Sequence, residues 1–104
     1  MRRGEVWLAD VGSKPRPVVV LTRDEVLDVR ANVTVAEVTT QRRGLVVEVP
    51  IGTDAGVDEP SVINGDGIHT VAQRRLTERV GTVDGEALDR VCVAVAAALG
   101  CGGG

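Results

Sequence analysis

Arg16-Pro17-Val18-Val19-Val20-Leu21, with Arg3-Gly4-Glu5-Val6-Trp7-Leu8 just before it, decides the fold class of this chain. Valine branches at Cβ, is stiff at χ1 and packs well on a pleated, half-buried surface. The connection Val11 to Arg16 contains Pro15, and Pro17 follows it. These prolines fix their own φ and push the preceding residue into extended backbone. The two runs therefore read as strands, Glu5 to Asp10 and Pro17 to Thr22, joined by a short, stiff link.

The same pattern continues outward. Asp24 to Arg30 predicts a helical turn, and Asn32 to Thr40 a long strand with Val33, Val35, Glu37 and Thr39 on one side. Gln41 to Gly44 reads as a basic turn, Leu45 to Ile51 as a buried strand and Gly52 to Glu59 as an acidic loop. Short strands are expected at Ser61 to Asn64, Ile68 to Ala72 and Arg79 to Val83, with a turn at Arg74 to Thr77.

Asp84 is placed to cap a helix from Gly85 to Leu99, with Glu86 near its positive end. Leu88, Val91, Cys92, Val95 and Leu99 fall at helical spacing as a core stripe. Val93, Ala94 and Ala97 make the other side apolar too, which points to a second subunit or a bound peptide, or to a helix whose small side chains expose little area.

The chain has 104 residues, 43% of them hydrophobic, with Trp7 its only aromatic ring. That length predicts one domain, 1–100, a modest core leaning on association, and a flexible Gly-rich tail at 101–104. No apolar run is long enough to span a bilayer, and no apolar segment follows Arg2-Arg3, so no membrane contact and a cytoplasmic location are expected. Cys92 and Cys101 do not form a disulfide framework, and His69, the only imidazole, lacks the partners of a four-ligand zinc site. No cofactor or metal is expected.

The formal charge is -3, which excludes a nonspecific nucleic-acid binder relying on massed cations. Of the 12 cations, 11 are Arg. Arg2, Arg3, Lys14, Arg16, Arg42, Arg43, Arg74, Arg75 and Arg79 lie at loops or strand ends, whereas acids gather at 24–28, 54–59 and 84–89. Arginine grips phosphate oxygens in pairs and stacks on bases, so a local basic face can exist on an acidic protein.

Four blocks in order carry a resemblance: the opening run to Leu8, Arg16 to Leu21, Val35-Ala36-Glu37-Val38-Thr39-Thr40, and Asn64-Gly65-Asp66-Gly67-Ile68-His69-Thr70-Val71. From Arg3 to about Leu99 the chain resembles the MazF/PemK family of toxin endoribonucleases. The resemblance implies a mainly β (α+β) fold, an SH3-like small β-barrel of the CcdB/PemK type with a C-terminal α-helix. It also implies a homodimer, an RNA substrate and a cognate antitoxin of the MazE/VapB kind.

Metal-free RNA cleavage uses the substrate's own 2'-hydroxyl as nucleophile. The protein must stabilise charge at phosphorus, accept one proton and supply another. The resemblance assigns catalysis to Arg16, which suits the charge, and to Thr39, which suits a hydrogen bond to a phosphate oxygen or the substrate hydroxyl. Asp66 is the expected base or an orienter of Arg16, and Lys14, Thr40, Arg42, Asn64 and His69 are expected to contact RNA. Asn64 and His69 stand where relatives carry Arg, and the connection before Arg16 is shorter than usual, which predicts an altered sequence preference. Two other readings are a CcdB-like gyrase poison, although the Cys-Gly-Gly-Gly ending lacks a bulky anchor, and a catalytically weak barrel that only binds an antitoxin.

Overall fold

The computed structural model describes residues 1–10 and 13–101. Six strands, β1 (Glu5–Ala9), β2 (Arg16–Val20), β3 (Asn32–Thr39), β4 (Glu48–Ile51), β5 (Ser61–Ala72) and β6 (Leu76–Thr82), form one antiparallel sheet in the order β4-β5-β3-β2-β1-β6. Two α-helices, α1 (Asp24–Leu27) and α2 (Gly85–Ala98), complete the regular structure together with short 3-10 turns at Thr53–Ala55 and Gln73–Arg75. No helix among the described residues is long and apolar enough to cross a membrane.

The consecutive valines of β2 and the apolar residues of β3 are explained by burial on both faces of the sheet. Val6, Val19, Ala36, Val38 and Ile63 pack under α2, while Val18, Val20, Val33 and Val35 pack with Leu27 and Leu76 on the other side. Alternating residues thus feed two cores, and neither face reads as polar.

Closure comes from backbone contact. The 3-10 turn after β4 lies directly on β6, and Gly56 there adopts φ +97. A Cβ at Gly56 would collide with the Val80 carbonyl, and one at Gly81 with the Ala55 carbonyl. Only glycine lets the two backbones meet. The two outer strands are joined through this contact, with Ala55, Val57 and Val80 filling the seam, so the expected small barrel is realised.

Three elements differ from the sequence expectation. The fourth strand begins at Glu48, with Leu45 and Val46 exposed, because the Glu48 carboxylate accepts backbone N–H groups of Arg43 and Leu45 at 3.1 and 3.2 Å and holds the segment as a turn. β5 runs without a break through the glycines: Glu37 faces Asn64 but Ala36 faces Ile68, so Gly65, Asp66 and Gly67 bulge from a continuous strand. The helix stripe is Ala87, Val91 and Ala94, with Leu88, Val95 and Ala98 at its margin. Leu99 is 66% exposed because the helix ends at Ala98 and Gly100 turns away at φ 74. Asp84 caps as expected, accepting the Ala87 N–H at 2.8 Å.

Of the connection before Arg16, Val11 and Gly12 lie outside the described residues, as do Gly102 to Gly104 of the expected tail.

Candidate active site

Arg16 opens β2, where it pairs with Ala9 of β1. On its other side, Val18 faces Glu37 of β3 in an antiparallel register. Carried two residues further, that register sets Arg16 level with Thr39, the last residue of β3. The barrel thus brings together two residues that lie in different sequence blocks.

Three cavities meet at Arg16. A 650 Å³ cleft runs between Lys14, Pro15, Arg16, Thr39 and Thr40 on one side and Asp58, Glu59 and Glu78 on the other. A 390 Å³ cavity joins Arg16 and Thr39 to Glu37, Arg43, Asn64 and Asp66. A 260 Å³ cavity places Arg16, Glu37 and His69 around an apolar floor of Ala9, Val18, Val35 and Val71. Arg16, Thr39 and Asp66, the three expected catalytic residues, therefore share one cavity. Among the contacting residues, Arg42 is exposed and lines none of the three, and Arg43 stands in the wall instead.

Local bonds fix these side chains. Thr39 Oγ1 accepts the Gln41 N–H at 3.1 Å, which leaves its hydroxyl proton free to donate. Asn64 Oδ1 accepts the Asp66 N–H at 2.9 Å and shapes the bulge that carries Asp66. Arg16 makes no ion pair within 4.0 Å among the described residues. Glu5, one of its conceivable partners, is occupied by Arg79 at 3.2 Å. An exposed, unpaired guanidinium beside a donating hydroxyl suits an anionic phosphodiester. Among the described residues, no group of three His, Cys, Asp or Glu side chains is arranged to hold a metal ion.

Residues 2–99 match the family described as PemK-like, MazF-like toxin of type II toxin-antitoxin system. The chain belongs to this family. The probable endoribonuclease MazF2 of Mycobacterium tuberculosis is 38% identical over 102 residues, covering 97% of this chain and all of that protein. The solved Mycobacterium tuberculosis toxin MazF-mt6 superposes with a TM-score of 0.88 at 33% identity, covering 93% of this chain and 97% of the other. An endoribonuclease in complex with its cognate antitoxin, from a mycobacterial species, gives 0.87 at 26% identity over 96% and 95% of the two chains.

Within this MazF-like chain, sequence reasoning passed over Glu37 and Arg43. Glu37 Oε2 lies 2.9 Å from His69 Nε2, and Glu37 lines two of the cavities at Arg16. One signal was available: Glu37 is the only charged residue between Asn32 and Thr39, two positions before the expected catalytic Thr.

Proposed function

We propose that this chain is the toxin of a type II toxin–antitoxin pair and acts as an endoribonuclease on single-stranded RNA. The shared cavity of Arg16 and Thr39 carries the reading. The 2'-hydroxyl of a nucleotide attacks the adjoining phosphorus; the 2'-O–P bond forms, the P–O5' bond breaks, and the products are a 2',3'-cyclic phosphate and a 5'-hydroxyl end. Arg16 takes two oxygens of the phosphate as charge builds up, and Thr39 donates to one of them. The nucleophile comes from the substrate, so the step does not require a metal. Asp66 stands on the rim of the same cavity, with Lys14 and Thr40 along the cleft where neighbouring nucleotides would lie.

Several finer assignments go with this reading. Residues 1–100 act as one toxin domain, in the cytoplasm. A cognate antitoxin neutralises it with an acidic, flexible segment laid along the cleft. Val93 and Leu99, 71% and 66% exposed on and beside α2, supply the apolar contact of a homodimer. The relatives reported above carry endoribonuclease and MazF toxin names, and the gyrase-poison reading is not favoured.

Mass spectrometry of RNA fragments, with mapping of their 5' ends, tests the proposal. The expected result is cyclic-phosphate ends at a recurring short sequence. Fragments with 3'-hydroxyl and 5'-phosphate ends would contradict it.

A further inference from the structure

The mechanism needs a group to take the 2'-hydroxyl proton. Neither the guanidinium of Arg16 nor the alcohol of Thr39 is a proton acceptor at neutral pH. Asp66 shares their cavity but sits exposed on the β5 bulge. Glu37 is better placed. It lies on the same side of β3 as Thr39, two residues before it, and lines both the 390 Å³ and the 260 Å³ cavities, as Arg16 does.

The carboxylate is also held. His69 Nε2 contacts Glu37 Oε2 at 2.9 Å. Gly67 is buried, and a Cβ there would come within 2.6 Å of the same oxygen, so the missing side chain at 67 is what admits the carboxylate. Glu37 remains 45% exposed, open to a substrate in the cavity.

We propose that Glu37 is the proton acceptor of the cleavage reaction, positioned by His69 and by the space at Gly67. This rests on the endoribonuclease reading. Glu37 removes the proton of the attacking 2'-hydroxyl as the 2'-O–P bond forms and the P–O5' bond breaks; the leaving 5'-oxygen takes a proton from solvent water, and Glu37 returns its own to solvent. His69 is a positioning residue. It occupies Oε2 and leaves Oε1 as the accepting atom.

The test uses the full chain on a short RNA containing its mapped cleavage sequence, and on the same RNA with sulfur replacing the scissile 5'-oxygen, a leaving group that needs no proton. Glu37→Gln is expected to lower kcat about 10²- to 10⁴-fold, with KM changed less than about threefold, on both substrates. His69→Gln, whose amide keeps a donor for Glu37, retains more activity than His69→Ala, which loses about tenfold. Glu37→Asp, which keeps a carboxylate, retains more activity than Glu37→Gln. Thermal melts establish that each variant is folded.

Wild-type rates in Glu37→Gln would overturn the proposal. So would a Glu37→Gln defect that vanishes on the sulfur substrate, since the residue would then serve the leaving group. Equal losses in His69→Gln and His69→Ala would make the imidazole itself the proton carrier. If the wild type cuts no RNA that Arg16→Ala leaves intact, the endoribonuclease reading fails, and this inference with it.

Discussion

Arg16 and Thr39 each lie two residues beyond the Val18–Glu37 pair that ends the β2–β3 ladder. They line the same 390 Å³ cavity, and Arg16 has no ion-pair partner among the described residues. A phosphodiester entering that cavity meets a free cation and a hydroxyl donor together.

Replacing Arg16 by Lys keeps the charge but loses the two-pronged grip. The expected loss in kcat/KM is about 10- to 100-fold, measured on a short RNA, because a point charge cannot hold two oxygens in fixed geometry. Thermal stability should change by less than about 0.5 kcal/mol, since the side chain is exposed and unpaired.

Thr39→Ser retains a hydroxyl and should cleave within about tenfold of wild type, whereas Thr39→Val should lose about 10²-fold. The Val variant also leaves the Gln41 N–H without its 3.1 Å partner, at a cost of about 1 kcal/mol in denaturant melts. Equal activity in both variants would remove the hydroxyl from the mechanism.

Barrel closure predicts a contrast between glycines. Gly81→Ala drives a Cβ into the Ala55 carbonyl and should destabilise by about 3 kcal/mol or more. Gly85→Ala, in the first turn of α2 with nothing within 4 Å of the new Cβ, should stabilise by about 0.4–1 kcal/mol. Urea unfolding of the two variants gives both signs directly.

Glu5 makes stability fall in acid. Burial works to raise its pKa, but the Arg2 N–H, the Trp7 indole N–H, the Arg79 guanidinium and the amino terminus outweigh burial and leave the carboxyl below the usual glutamate range. A lowered folded value means the carboxylate stabilises the fold above the unfolded value of about 4.3, and that contribution is lost as pH drops through the folded value. Glu5→Gln should therefore melt lower than wild type at pH 7, with the gap closing below about pH 4. A gap independent of pH would assign the effect to packing alone.

Much of this was legible in the sequence. Val18 to Val20 and the alternation from Val33 to Thr39 encode strands whatever packs on them, and Asp84 caps the helix through local bonding alone. What escaped was non-local. Gly65 and Gly67 resemble a strand break, yet they form a bulge because Gly65 meets the α2 backbone at Ala94 and Gly67 makes room for Glu37. Leu45 and Val46 look like core residues until Glu48 folds back on their backbone. Arg16, Thr39 and Asp66 are assigned to the site by resemblance and line one cavity, while Glu37 reads in the sequence as the polar half of a strand alternation.

In the proposed reaction Arg16 and Thr39 act together on one phosphate. The direct measurement is single-turnover RNA cleavage in EDTA by wild type, Arg16→Ala, Thr39→Ala and the double variant. Two groups serving one transition state predict large single losses and a double loss well short of their product. Single losses that multiply in full, or either single variant cutting at the wild-type rate, would contradict the account.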